Sequence, residues 1–324
     1  MSVARRVPLW ARVAAQQTPA PPLEDIVDKP IVVGFDGSSE SVAAADWAAR
    51  ESLRRGLPLE LLQAWPWQHG QPLGSDDAKR WGKEQLARKE VELRALLSGI
   101  EVTVAHIPGA VPADVLEAAG KNATMLVLGS RGLGALRGFL VGSVSQEVLT
   151  RATCPVVLVR AGTTTADEHP ASPRAEPAAD VGYREVALGL DTRHPCEEAL
   201  AFAFEAASVR SAPLRVVHAW GPPSGTEYLA FGSIGGLERD LMVVEQDAVT
   251  RLLKPWRERY PEAEVVTKVV MGNAANTLLE ETPQAGLLVI GRRTRRAPIG
   301  PRLGPVAHAV IHHARCPVAI VPCG

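Results

Sequence analysis

Four segments of this chain occur twice in the same order, which constrains it to two copies of one folding unit. IVVGFDGSSES at 31–41 is matched by VALGLDTRHPC at 186–196, and LPLELLQAW at 57–65 by APLRVVHAW at 212–220. MLVLGSRG at 125–132 is matched by LLVIGRRT at 287–294, and CPVVLVR at 154–160 by CPVAIVP at 316–322. The offset is 155 residues from Asp36 to Asp191, but 162 from Gly129 to Gly291 and from Cys154 to Cys316. The second copy therefore carries seven extra residues, and the long Gly- and Pro-rich stretch 221–240 is where they fit.

Within each copy, short β-rich runs alternate with longer helical patterns. In the first, strands are expected near 30–36, 58–65, 101–106, 124–129 and 155–160, and helices near 39–55, 76–97, 112–121 and 143–152. This alternation implies an α/β fold, a parallel sheet with helices on both faces. The expected organisation is a flexible N-terminal arm (1–28, containing TPAPP), a first domain (29–160), a polar linker rich in Pro and Ala (161–183), and a second domain (184–324).

The 324 residues suffice for two domains, and 46% hydrophobic with 22% charged residues is the composition of a soluble globular protein. A formal net charge of -1 argues against nucleic acid and anionic membranes as partners. No apolar run reaches the roughly 20 residues of a membrane span. Arg12 interrupts what would be the apolar core of a signal peptide, so a cytoplasmic location is expected. Cys154, Cys196, Cys316 and Cys323 form no CxxC pair and no zinc spacing; Cys154 and Cys316, each before Pro-Val, read as small buried hydrophobes.

The chemistry concentrates in GSRGLGALRGFLVGS at 129–143. Gly129, Gly132 and Gly142-Ser143 follow a strand and lead into a helix, whose first N–H groups lack intrahelical partners and suit an anion. Glycine adds positive φ and close approach of a ligand to the main chain. A phosphate cradle and an ordinary set of tight turns are both compatible with this stretch alone. Asp36, at the end of the first strand, either approaches a ligand or caps the turn formed with Gly37, Ser38 and Ser39. If the first and fourth strands are neighbours, Asp36 and Gly129 share one crevice at the carboxyl edge of the sheet.

With VVGFDGS at 32–38, the G-x2-G-x9-G-S loop and ATCPVVLVR at 152–160, both copies resemble the tandem universal stress proteins of the actinobacterial type. The resemblance implies two doubly wound domains, each a five-stranded parallel sheet in the order 3-2-1-4-5. It also implies ATP binding, with or without Mg2+, where the loop is intact. Carried over, Gly34 and Asp36 would lie by the nucleoside, the Ala64 backbone would meet adenine, and Leu128 and Gly129 would line the base and ribose. Gly132, Gly142, Ser143, Val144 and Ser145 would hold ribose and phosphates; Arg131 is either a phosphate partner or a solvated side chain. The family often pairs through its last strands, here 155–160 and 317–322, giving an intramolecular pseudo-dimer or a homo-oligomer.

The second copy departs from the pattern: Thr294 stands at the position of Gly132 and Pro305 at that of Ser143. Threonine tolerates positive φ poorly, and proline brings neither N–H nor hydroxyl. Asp191, Gly291 and Gly304 survive, and Arg292, Arg293, Arg295, Arg296 and Arg302 arrive. These arginines either hold a different anion or form a solvated basic loop. No Walker loop or nucleophile elbow is present, and His308 and His312, at i and i+4, read as an incidental pair. The functional expectation is a non-enzymatic regulator that binds ATP in its first domain and acts through an unknown protein partner. The competing readings are a nucleotide-independent interaction module and a slow ATPase or phosphotransferase.

Overall fold

The computed structural model describes residues 29–65, 75–108, 110–132, 139–140, 142–170, 182–221, 237–293 and 303–324. The expected N-terminal arm lies outside these residues. In the first half, β1 (Ile31–Gly34), β2 (Leu59–Trp65), β3 (Val102–Pro108), β4 (Met125–Gly132) and β6 (Val156–Arg160) form a parallel sheet. Between them lie α1 (Ser39–Arg55), α2 (Ser75–Leu96), α3 (Pro112–Gly120) and α4 (Ser143–Arg151), with a two-residue strand β5 (Phe139–Leu140) before α4.

The second half repeats this order. Its strands are β7 (Val186–Gly189), β8 (Leu214–Trp220), β9 (Val265–Met271), β10 (Leu287–Arg293) and β11 (Val318–Cys323). Its helices are α5 (Glu197–Ser208), α6 (Leu237–Arg259), α7 (Ala274–Glu281) and α8 (Pro305–His313). Residues 221–236 join β8 to α6 where 66–74 join β2 to α2, so the seven-residue surplus falls where the repeat offsets put it.

The strand order is β3-β2-β1-β4-β6-β11-β10-β7-β8-β9. Each half thus has the doubly wound order 3-2-1-4-5. The halves join through one antiparallel pair, with Leu158 opposite Val318, Val157 opposite Ala319 and Val156 opposite Ile320. Pairing the last strands removes two apolar edges that would otherwise be open to aggregation.

Alternation along the strands divides the core into two layers. Ile31 and Val33 of β1 face the layer containing Trp47 of α1, Leu93 of α2 and Phe204 of α5. Val32 faces the other, with Leu116 of α3, Leu149 of α4, Leu278 of α7 and Val310 of α8. Strands buried on both faces read as near-continuous apolar runs, which is why IVV, MLVL and VVLV carry no polar alternation. Helix α1 approaches the sheet through Ala43, Ala44, Ala45, Ala48 and Ala49, all buried.

The first residues of the expected linker are structured. Thr165–Glu168 form a short 3-10 helix, Glu168 is buried, and its carbonyl accepts the Arg184 amide at 2.8 Å. Arg50 and Arg54 of α1 both pair with the Glu168 carboxylate, so the segment after β6 is tied down by buried charge.

Candidate functional site

The β1–β4 pairing sets Val33 beside Val127, bringing Asp36 and Gly129 to one edge of the sheet where the strand order reverses. This is the crevice in which doubly wound sheets bind ligands. The Phe35 amide donates to Leu62 O at 2.9 Å, holding the exit of β1 against β2 and Ala64. Gly34 lies under Leu128 and Leu116: a Cβ there would come 2.7 Å from the Leu128 side chain.

The turn after β1 is built on Asp36. Its Oδ1 accepts from the Ser38 amide at 3.0 Å and the Ser38 hydroxyl at 2.5 Å. Ser38 Oγ in turn accepts from the Ser41 amide at 3.2 Å and caps α1. The capping alternative for Asp36 is therefore realised. Burial works to raise its carboxyl pKa, but the Ser38 and Ser41 hydrogen bonds outweigh it and hold the pKa below the ordinary value. Asp36 is a carboxylate at neutral pH, exposed at the crevice. Trp81 of α2, unremarked in the sequence, stands over this turn: a Cβ on Gly37 would lie 3.0 Å from its ring.

The glycine loop is more strand-like than a series of turns. Arg131 and Gly132 extend β4 and pair antiparallel with Leu140 and Phe139, making a hairpin. Residues 133–138 and 141 lie outside the described residues. Neither Gly129 nor Gly142 uses the positive φ open to glycine. Gly129 is required by packing, since a Cβ would sit 2.5 Å from the Glu40 carbonyl carbon of α1. At Gly142 a Cβ would meet nothing within 4 Å.

Gly142 is the N-cap of α4, with φ -59° and ψ 153°, and no side chain caps the helix. Ser143 is exposed, Val144 half-buried and Ser145 buried. Ser145 Oγ donates to Gly129 O at 3.3 Å, fastening the helix start to the strand end. The first turn carries no acidic residue, so the positive end of the helix is uncompensated from within.

In the second half the same position is differently furnished. Asp191 Oδ1 accepts from the amides of Arg193 at 3.0 Å and His194 at 3.3 Å, while Oδ2 accepts from Arg293 Nη2 at 2.5 Å. Burial would raise the Asp191 pKa; the Arg293 guanidinium and the amides reverse this and lower it. A cavity of about 600 Å³ opens here, lined among others by Asp191, His194, Trp220, Arg293 and Gly304. Pro305 occupies the first position of α8, after Gly304 at the N-cap.

The arginine-for-amide alternative is corrected at two positions. Arg292 is buried and donates to Thr150 O at 3.2 Å and Ala152 O at 2.6 Å, at the carboxyl end of α4 in the other half. Arg293 is spent on Asp191 and on His194 Nδ1 at 2.7 Å. Arg295, Arg296 and Arg302 lie outside the described residues. The His308 and His312 rings lie tilted against each other, with centroids 4.4 Å apart and planes at 46°, and no three His, Cys, Asp or Glu among the described residues converge as a metal site. No helix of the described residues is long and apolar enough to cross a membrane.

Comparison with known proteins follows the duplication. A universal stress protein of Mycobacterium tuberculosis strain H37Rv is 32% identical over 309 residues, covering 90% of this chain and 96% of that protein. One from Mycolicibacterium smegmatis is 31% identical over 308 residues, covering 90% and 96% respectively. Among solved structures, a universal stress protein from Archaeoglobus fulgidus superposes with a TM-score of 0.65 at 18% identity, covering 91% of this chain and 99% of that one. The universal stress protein family matches at residues 29–160 and again at 182–322, and the chain belongs to that family.

Proposed function

We propose that the protein is a regulatory adenine-nucleotide-binding protein, with ATP held in the first-half crevice and no catalytic step of its own. The uncapped start of α4 carries this reading. No side chain caps its amides, a Cβ on Gly142 would meet nothing within 4 Å, Ser143 is exposed, and Ser145 ties this helix start to Gly129, at the sheet edge that also carries Asp36. Phosphates would be held by the Gly142–Ser145 turn with the backbone of Gly132, Arg131 being a further candidate partner from the sequence, and Mg2+ would arrive on the triphosphate. Asp36, Gly34, Leu128 and Gly129 would line the nucleoside, and the Ala64 backbone would meet adenine. A few charge-assisted bonds of about 1.5–3 kcal/mol each, less the cost of ordering the loop, support micromolar affinity, about -8 kcal/mol.

Occupancy has a route to the second half. β5, the return strand of the loop hairpin, lies with Cα atoms within 8 Å of α8. A nucleotide that orders the hairpin changes what α8 packs against, and so alters the surface offered to a partner protein. Titration calorimetry of the full chain with Mg-ATP tests the site. Binding in the micromolar range is expected, and its loss in the Gly142→Val, Ser143→Ala double variant; unchanged binding by that variant would falsify the assignment.

A further inference from the structure

Cys196 and Cys323 form a disulfide on the wall of the second-half cavity, with Cα atoms 5.4 Å apart and a sequence separation of 127. Cys196 is the N-cap of α5 and Cys323 ends β11. The repeat sets Ser41 and Ala161 at these positions in the first half, so the pair belongs to the second half alone. Gly291 makes room for it: a Cβ there would lie 2.8 Å from Cys323 Sγ and 3.1 Å from Cys196 Cβ. The corresponding glycine of the first half, Gly129, instead admits the α1 backbone. One conserved lack of a side chain thus serves helix packing in one half and a cross-link in the other.

The remaining cysteines differ in kind. Burial pushes the Cys154 thiol up to about 11 and the Cys316 thiol up to about 12, which leaves both protonated and unreactive at neutral pH.

We propose that Cys196 and Cys323 are a reversible thiol–disulfide site whose reagent is a small thiol of the glutathione type, and that its state sets the mobility of the turn carrying Asp191. The cavity gives such a molecule access. Its thiolate attacks the sulfur of Cys323, the more exposed of the two residues, and the S–S electron pair leaves on Cys196. That thiolate forms at the N-terminus of α5, 3.5 Å from the Glu198 carboxylate, whose like charge favours its prompt protonation from solvent. A second small thiolate attacks its own kind in the mixed disulfide. Cys323 leaves as thiolate and is protonated, and the small-molecule disulfide departs. Two protein sulfurs have gained two electrons from two small thiols; the oxidised small molecule drives the reverse.

Reduction releases α5 from β11 just after the turn 191–196, which bears Asp191 and His194. The inference is independent of nucleotide binding in the first half. Full-length protein is equilibrated in glutathione buffers of graded ratio, acid-quenched, denatured and alkylated for mass spectrometry. Cys196 and Cys323 should change together in one two-electron transition, while Cys154 and Cys316 stay thiols throughout. Reduction should lower the Tm by roughly 3–10 °C and speed amide exchange over 191–196. Neither effect should appear in the Cys196→Ser, Cys323→Ser variant. A pair that stays oxidised in millimolar reduced glutathione, stays reduced in excess oxidised glutathione, or labels one cysteine at a time overturns the site. Equal exchange in both redox states overturns the coupling to the turn.

Discussion

Glu51 of α1 and Arg210, which follows α5, meet across the two halves with Oε2 accepting from Nη2 at 2.5 Å and Oε1 from Nη1 at 3.3 Å. Glu51 is fully buried and also accepts from Arg54 at 3.0 Å and Arg55 at 2.6 Å. Arg55 reaches on to Glu205 of α5 at 2.6 Å. This charge network covers one face of the β6–β11 junction. On the opposite face, Arg292 binds the carboxyl end of α4, and Arg160 donates to Ala314 O at the carboxyl end of α8. The junction is thus closed by reciprocal arginines as well as by strand pairing.

Glu51→Gln should destabilise the chain by about 3–5 kcal/mol, because Arg210 keeps its burial and loses the Glu51 carboxylate, while Arg54 and Arg55 are left with Glu168 and Glu205. Burial alone would raise the Glu51 carboxyl, but Arg210, Arg55 and Arg54 hold it at about 2, against an ordinary value of 4.5. A lowered folded-state pKa stabilises above the unfolded value, and that stabilisation is lost as pH falls through the folded one. Urea unfolding should therefore separate wild type from variant most widely above pH 4.5, with the gap closing as pH falls toward 2. A gap that does not change with pH would remove charge from the explanation.

Much of the fold was legible because its determinants are local or repeated. IVV, MLVL and VVLV are strands at the expected places, and α1 runs over the stretch 39–55 that the helical pattern predicts. The pairing of β6 with β11 followed from the family resemblance, not from the residues themselves. Nothing in the sequence marks Glu51, Glu168 or Arg210 as partners, since each looks like an ordinary helix or linker charge until the tertiary fold removes its solvent. The Cys196–Cys323 bond is hidden for the same reason. At the site, Asp36 and the α4 start were readable, while the reason for Gly129 was not: it answers to the α1 backbone.

The two loop glycines should separate on substitution. Gly129→Ala forces a Cβ against the Glu40 backbone and should cost about 1–3 kcal/mol in equilibrium unfolding. Gly142→Ala meets open space at a φ that alanine accepts, and should change stability by less than about 0.5 kcal/mol. ATP affinity should fall for Gly142→Ala even so, because the methyl enters the space assigned to phosphate. Equal losses of stability would contradict the division of roles.

Arg292→Met tests the reciprocal closure. It keeps an apolar stem but removes the donor to Thr150 O and Ala152 O, leaving carbonyls at the end of α4 without that partner. A loss of about 1–3 kcal/mol is expected, together with faster amide exchange in the last turn of α4. A stable variant with unchanged exchange there would show that solvent serves those carbonyls equally well.

The halves should differ in nucleotide binding because their crevices differ in free charge. Asp36 is engaged by its own turn, whereas Asp191 is also bridged by Arg293, and the helix that follows begins at Ser143 in one half and Pro305 in the other. Calorimetry of the full wild-type chain should therefore find a single ATP per chain. Arg293→Ala together with Pro305→Ser frees the carboxylate and restores an N–H and a hydroxyl at the start of α8, and should add a second, weaker site. Arg293→Ala alone should not, since the proline still lacks both groups. Two equivalent sites in the wild type would mean that neither Arg293 nor Pro305 closes the second crevice, and that the asymmetry between the repeats has another purpose.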